Sequence, residues 1–159
     1  MSVAAGTVRK TDVEKVFKRA RARGKAALES FAGTVDPVEA WQLADAGEAV
    51  LVDVRTEEEL NFVGRVPEAI HVPWVTWPGM RPNRDFLSSL ENEIPSKATP
   101  VLFLCRSGQR SAAAAAAASE AGYKHAFNIA EGFEGALDEA QHRGTHGGWR
   151  HHGLPWVQN

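Results

Sequence analysis

The sequence predicts an α/β fold: a central parallel sheet with helices on both faces, preceded by a basic N-terminal helix. Two observations carry this. From about residue 34 onward, short apolar runs alternate with helix-patterned segments, the order that builds a parallel sheet. The runs are also near-continuous in apolar residues, as in strands covered on both faces.

The elements follow in order. Thr11-Asp12-Val13-Glu14 has the form of a capping box. Val13, Val16, Phe17 and Ala20 then recur at helical spacing, with Lys15, Lys18, Arg19 and Arg21 on the other faces. This predicts an amphipathic helix ending near Gly24, with a weaker continuation through Ala27, Leu28 and Phe31 to Gly33. Residues 1–33 are thus read as an extension and 34–159 as the main domain. Asp36-Pro37 starts a helix that should bury Val38, Trp41 and Leu43 and stop at Gly47. Ala49–Val54 reads as a strand, Thr56-Glu57-Glu58-Glu59 as a second capping box opening a short helix, and Ala69–Val72 as a short strand. A helix opening in the Asn83–Phe86 region runs through Leu87 and Leu90 and stops before Pro95.

Residues 100–104 form the next strand, and a helix should begin at about Ser111. It carries seven alanines, Ala112 to Ala118, whose small side chains let a helix lie close on a sheet. Ala126–Ile129 supplies the last strand. Gly132-Phe133-Glu134 should lead into a helix carrying Phe133, Ala136 and Leu137. The tail from Gly144 to Asn159, rich in Gly, His and Trp, should be irregular and pinned by Trp149 and Trp156.

At 159 residues, with 43% apolar and 24% charged residues, the chain has the size and composition of one domain with a proper core. That balance excludes disorder. No apolar stretch approaches the roughly 20 residues that a bilayer requires, and Met1–Lys10 has no apolar core of a secretory signal. The expected compartment is the cytoplasm. Residues 1–30 hold eight Lys/Arg against three Asp/Glu, so a basic segment precedes an acidic body. It is expected to dock on its own domain or on a second copy, which leaves a homodimer through the helix open. A nucleic-acid or membrane partner is not expected.

Chemistry concentrates at Cys105, the only cysteine. A lone cysteine excludes an internal disulfide, a Cys-x-x-Cys pair and multi-cysteine zinc sites. Cys105 follows the run Val101-Leu102-Phe103-Leu104 and precedes Arg106-Ser107-Gly108-Gln109-Arg110, where a strand hands over to a tight loop and a helix N-terminus. In open parallel sheets, ligands bind at such strand ends. Helix N-termini and neighbouring arginines lower a thiol pKa, so a thiolate nucleophile is expected, with Arg106 and Arg110 receiving an anion. Asp53 and Arg55, at another strand end, could orient the loop, although an ordinary ion pair serves equally well. Trp74 and Trp77 fit core anchoring better than a pocket rim. The six histidines show no metal-ligand spacing, so neither metal nor cofactor is expected.

Cys-Arg-Ser-Gly-Gln-Arg-Ser at 105–111 resembles the active-site loop of rhodanese (sulfurtransferase) domains. The resemblance spans about 34 to 157. Val52-Asp53-Val54-Arg55 followed by Glu59 resembles the family's first signature. Gly64–Pro73 resembles its Gly-His-Ile-Pro-Gly-Ala-Ile-Asn-Val-Pro segment, with Arg65, Glu68 and His71 departing from it. Gly147-Gly148-Trp149 and Gly153-Leu154-Pro155-Trp156 are similar to tails of some single-domain members. The resemblance implies a sulfurtransferase. Sulfane sulfur would pass from an anionic donor such as thiosulfate through a Cys105 persulfide to cyanide or a thiol, with residues 106–110 binding the anion and Ser111, Asp53 and Arg55 supporting. Four residues separate Cys105 from Arg110, as in the sulfurtransferases, whereas the related phosphatases have five. A phosphatase or arsenate reductase, or a non-catalytic persulfide carrier or binding module, are the alternatives.

Overall fold

Strands that are apolar on both faces need cover on both, and here helices and the C-terminal tail provide it. The computed structural model describes residues 9–159. Its elements are α1 (Lys10–Ala26), β1 (Gly33–Val35), α2 (Pro37–Asp45), β2 (Val50–Asp53), α3 (Glu57–Phe62), β3 (Ile70–His71), β4 (Val75–Thr76), β5 (Arg81–Pro82), α4 (Phe86–Glu93), β6 (Val101–Leu104), α5 (Gln109–Glu120) and β7 (Ala126–Ile129).

Five strands form one parallel sheet in the order β1-β7-β6-β2-β3. The central β6 is buried along its whole length, with Phe103 beside Val52 of β2 and Asn128 of β7. One face packs against α1, α2 and the tail through Val16, Ala20, Leu43, Leu102, Phe127 and Trp149. The other packs against α4 and α5 through Phe86, Leu90, Phe103, Ala114 and Ala118. Ala114, Ala115 and Ala118 are fully buried, so the alanine run does bring its helix close to the sheet.

The caps of α2 and α3 form as expected. Asp36 and Glu39 bond reciprocally at one, Thr56 and Glu59 at the other. The expected box at Thr11 does not form. Asp12 and Val13 both donate to the Arg9 carbonyl, which places Thr11 inside the first turn, and no side chain caps α1. The helix also runs past Gly24 to Ala26, and the chain then turns back through Leu28 (φ 55°) rather than continuing helically.

The apolar stripe of α1 is buried against its own sheet. Gly33 has no room for a side chain because a Cβ would collide with the Ala20 carbonyl. Arg23 donates to Glu39 at 2.6 Å and Arg19 donates to the same carboxylate at 3.2 Å, so two of the basic residues dock on the chain's own buried acid.

Three other expectations are corrected by packing. In α2 the buried face is Pro37, Glu39, Ala40 and Leu43; Val38 points the opposite way at 38% exposure, and Trp41 is half-buried. No helix forms at 132–137. Glycines at φ 69° (Gly132) and 82° (Gly135) turn that segment so that its amides meet the Cys105 loop. The tail is irregular, as expected, and Trp149 is fully buried, whereas Trp156 stays 37% exposed with its ring edge-on to Phe133. The β4–β5 hairpin has no counterpart in the sequence reading, since two-residue strands show no periodicity. No described helix is long and apolar enough to cross a membrane.

Candidate active site

A parallel sheet gathers the carboxyl ends of its strands on one edge. Here the ends of β6, β2 and β7 bring Cys105, the Asp53–Arg55 segment and Asn128–Gly132 to the same edge. Cys105 follows β6 directly, and α5 begins at Gln109, two residues earlier than the sequence suggested. The first turn of the helix, with its free amides, therefore stands that much closer to the sulfur. Gly108 makes the hinge at φ 106°, a conformation that costs glycine nothing.

The sulfur is enclosed by hydrogen-bonding groups. Gly108 N–H donates to Sγ at 3.1 Å, and the Ser111 hydroxyl lies 3.2 Å from it. Ser111 is fully buried and its hydroxyl donates to Asn128 Oδ1 at 2.5 Å, while Asn128 Nδ2 donates to the Gly108 carbonyl at 3.2 Å. Cys105, helix start, strand end and loop hinge thus form one closed circuit. The Cys105 residue is 1% exposed.

A second layer holds the loop from below. Phe133 N–H donates to the Cys105 carbonyl at 2.8 Å and Glu134 N–H to the Arg106 carbonyl at 3.0 Å. Gly132 lets these strands of chain touch, because a Cβ there would overlap the Arg106 backbone. The tail lies across this brace, with Trp149 N–H donating to the Gly132 carbonyl at 2.8 Å.

The two arginines of the loop differ. Both terminal nitrogens of Arg110 donate to Glu59, each at 2.8 Å. Burial pushes the Glu59 carboxyl up, but the Arg110 hydrogen bonds and charge, with help from Thr56, outweigh it and leave the group below the usual carboxylate range. Arg110 is correspondingly raised, first by its hydrogen bond to Glu59. Arg106 is exposed and has no salt-bridge partner among the described residues. Ser107 is half-buried and Gln109 exposed.

Asp53 and Arg55 are both buried and pair at 2.6 Å. Arg55 also donates to the Gly64 carbonyl at 2.9 Å and lies over the Phe133 ring, 4.2 Å from its centroid. The pair therefore ties the Gly64 turn and the loop brace to β2 and does not contact the sulfur. His71 bonds the Arg55 carbonyl at 2.7 Å, so this departure from the family pattern adds a tie to the same segment.

Sequence reasoning missed the second role of Glu59 and the role of Asn128. Neither had a local signal, because their partners lie 51 and 17 residues away. A cleft of about 690 Å³ opens beside the loop, lined by Arg106 and Arg110 on one side and by Phe62, Val63, Trp77 and Met80 among others. Of the two tryptophans assigned to core anchoring, Trp74 packs edge-on to Phe86 (4.9 Å), whereas Trp77 is 59% exposed at this cleft. No cluster of metal-ligating side chains occurs among the described residues.

Residues 36–139 match the model of the rhodanese-like domain. An uncharacterised protein of Rickettsia prowazekii is 38% identical over 109 residues, which covers 68% of this chain and 82% of that protein. A sulfurtransferase of Allochromatium vinosum is 33% identical over 116 residues, or 73% of this chain and 85% of that one. Among solved structures, the crystal structure of Rv0390 from M. tuberculosis superposes with a TM-score of 0.73 at 47% identity, covering 81% of this chain and 99% of the other. On the family match and these relatives, the chain belongs to the rhodanese-like family.

Proposed function

We propose that this protein is a sulfurtransferase in which Cys105 carries a sulfane sulfur as a persulfide. The supporting observation is the seat of the sulfur. It lies at the end of a central parallel strand and at the start of a helix, with the Gly108 amide at 3.1 Å and the Ser111 hydroxyl at 3.2 Å. The Gly108 N–H, with the start of α5 behind it, stabilises negative charge on sulfur in the free enzyme and in the persulfide, while the Ser111 hydroxyl, its proton given to Asn128, fixes the position of the sulfur.

Cys105 thiolate attacks the outer sulfur of thiosulfate. A new S–S bond forms, the old one breaks, and sulfite leaves with the bonding pair. In the second half-reaction cyanide or a thiolate attacks the outer persulfide sulfur, and Cys105 thiolate is the leaving group. Arg106, the exposed cation of the loop, meets the incoming anion. Arg110, paired with Glu59, fixes the far end of the loop and adds positive potential. Ser107, Gly108 and Gln109 shape the turn, Ser111 holds the sulfur, and Asp53 and Arg55 support the brace from β2. The reaction needs no cofactor. Four residues between Cys105 and Arg110 favour this chemistry over phosphoryl transfer, in keeping with the family resemblance.

Intact-mass spectrometry after thiosulfate treatment is the test. A gain of about 32 daltons, one sulfur per nucleophile, accompanied by sulfite release, is expected for the wild type. The Cys105→Ser variant should show neither. The same gain in that variant refutes the assignment.

A further inference from the structure

A hydroxyl has one proton to give, a side-chain amide has a donating and an accepting end, and a carbonyl can only accept. These limits fix the direction of the bonds around Ser111. The Gly108 carbonyl must accept, so the amino group of Asn128 faces it at 3.2 Å. Oδ1 of Asn128 is then turned to Ser111, and at 2.5 Å it takes the one proton of that hydroxyl. What Ser111 presents to the sulfur, 3.2 Å away, is a lone pair. Ser111 is fully buried and Asn128 is 7% exposed, so neither can turn without leaving a buried polar group unpartnered.

The sulfur thus has one donor beside it, the Gly108 N–H at 3.1 Å, and one acceptor, Ser111 Oγ. A thiol suits both, because its S–H donates to Ser111. A thiolate meets the lone pair with its charge. In a persulfide the charge sits on the outer sulfur, one bond further from Ser111, and the opposition weakens with that distance.

We infer that Asn128 is a positioning residue for sulfur transfer. By claiming the Ser111 proton it aims a lone pair at Cys105 Sγ, disfavours charge on that atom and favours the persulfide over the free thiolate. This deepens the sulfur-transfer reading above and rests on it. As thiosulfate loads Cys105, the S–S bond of the donor breaks, sulfite leaves with the bonding pair, and the single negative charge of the enzyme moves from Sγ to the outer sulfur. The charged groups on this edge are Arg106 and Arg110, Glu59 from α3, Asp53 and Arg55 from the end of β2, and Glu131 and Glu134 after β7. None of them is changed in the variants below, so differences between variants report the Ser111 hydrogen bond.

The test titrates the thiolate by its ultraviolet absorbance, as the difference from Cys105→Ser; with one cysteine in the chain, the signal has one source. Ser111→Ala removes the lone pair, so the pH midpoint should fall by about one unit, or tenfold in ionisation. A hydroxyl that donated to the sulfur would give a rise instead. Asn128→Leu frees the Ser111 proton to turn to the sulfur, and the midpoint should fall at least as far. In the Ser111→Ala background the same substitution should add no further fall, which separates an effect through Ser111 from a disturbed Gly108 hinge. Circular dichroism checks that each variant is folded. Asn128→Asp keeps the acceptor for Ser111 and should show no fall, so it serves where Asn128→Leu does not fold. Above all the midpoints, where every free enzyme is thiolate, the fraction of Cys105 carrying sulfur at a fixed thiosulfate-to-sulfite ratio is read by intact mass. It should correspond to a loading constant about tenfold lower in Asn128→Leu than in the wild type. A midpoint that rises or stays in Ser111→Ala, a shift from Asn128→Leu that persists without Ser111, or an unchanged loading constant overturns the inference. A wild type that takes up no sulfur at all defeats the sulfur-transfer reading, and this inference with it, whatever the midpoints.

Discussion

Glu59 shows how one side chain serves two structures. Its carboxylate closes the capping box with Thr56, and its two oxygens also hold Arg110 at the far end of the Cys105 loop. Replacing Glu59 by Gln keeps a residue suited to the box but leaves the Arg110 guanidinium without a counter-charge. We expect unfolding free energy at pH 7 to fall by about 1.5–3 kcal/mol, the range for hydrogen bonds to charged groups. The sign of the pH dependence follows from the depressed Glu59 pKa. The folded state binds this proton less readily than the unfolded chain. The stabilisation is therefore complete above the ordinary carboxyl value of about 4.3 and is lost as pH falls through the lower folded value. Urea titrations from pH 7 to pH 3 should show the gap between wild type and Glu59→Gln closing in acid. A gap that stays constant across that range would count against the ion pair.

At the scale of elements, α1 is the part whose place composition left most open. Its charges left open whether it docks on its own domain or on a second copy, because charge runs are solvated wherever they sit. Burial of Val13, Val16 and Ala20 against the sheet decides the matter for the apolar face. A further staple is Arg21, whose guanidinium lies 2.6 Å from His125 Nδ1 and stacks over Phe127 at 5.3 Å. Arginine is always a donor here, so Nδ1 must accept and the imidazole must be neutral. Burial first, then the Arg21 and Lys124 charges, holds the His125 pKa below its ordinary value. The unfolded chain takes up this proton near pH 6.5 and the folded one does so only at lower pH, so stability present above about 6.5 is lost on acidification through that value. Chemical denaturation at pH 7.5 and 5.5 should show a smaller drop for His125→Gln than for the wild type. An equal drop would remove His125 from the account.

Across the whole molecule, the tail closes the active-site edge. Trp149 is fully buried, donates its indole N–H to the Pro155 carbonyl at 2.8 Å and meets the Trp41 ring edge-on at 6.2 Å, while its backbone amide holds Gly132 under the loop. Trp149→Ala should cost about 3–5 kcal/mol of stability, the range for truncating a large buried aromatic. Because the same residue braces the loop, sulfur transfer by the folded fraction should fall as well. A variant of unchanged stability in thermal or urea unfolding would contradict this packing.

The parts legible in the sequence were those with a local cause. Asp36 and Thr56 cap helices through partners three residues on, the apolar runs of β2, β6 and β7 declare strands, and Cys105 stands where a strand meets a glycine-containing turn. The failures share a cause too. The segment at 132–137 has helix-compatible residues, yet its amides are claimed by the Cys105 and Arg106 carbonyls, which no local pattern records. Thr11 could cap a helix, but the chain began its first turn at Arg9 instead. By itself the sequence determined the strand–helix alternation, the place of the lone cysteine between a strand and a glycine-containing turn, and the family that its loop resembles, because those depend on neighbours along the chain. Only the tertiary structure decided that Glu59 and not a substrate holds Arg110, that Asn128 completes the circuit around the sulfur, and that Phe62 and Trp77 share one cleft. Those contacts join residues far apart in the chain, and nothing but the packed sheet brings them within reach.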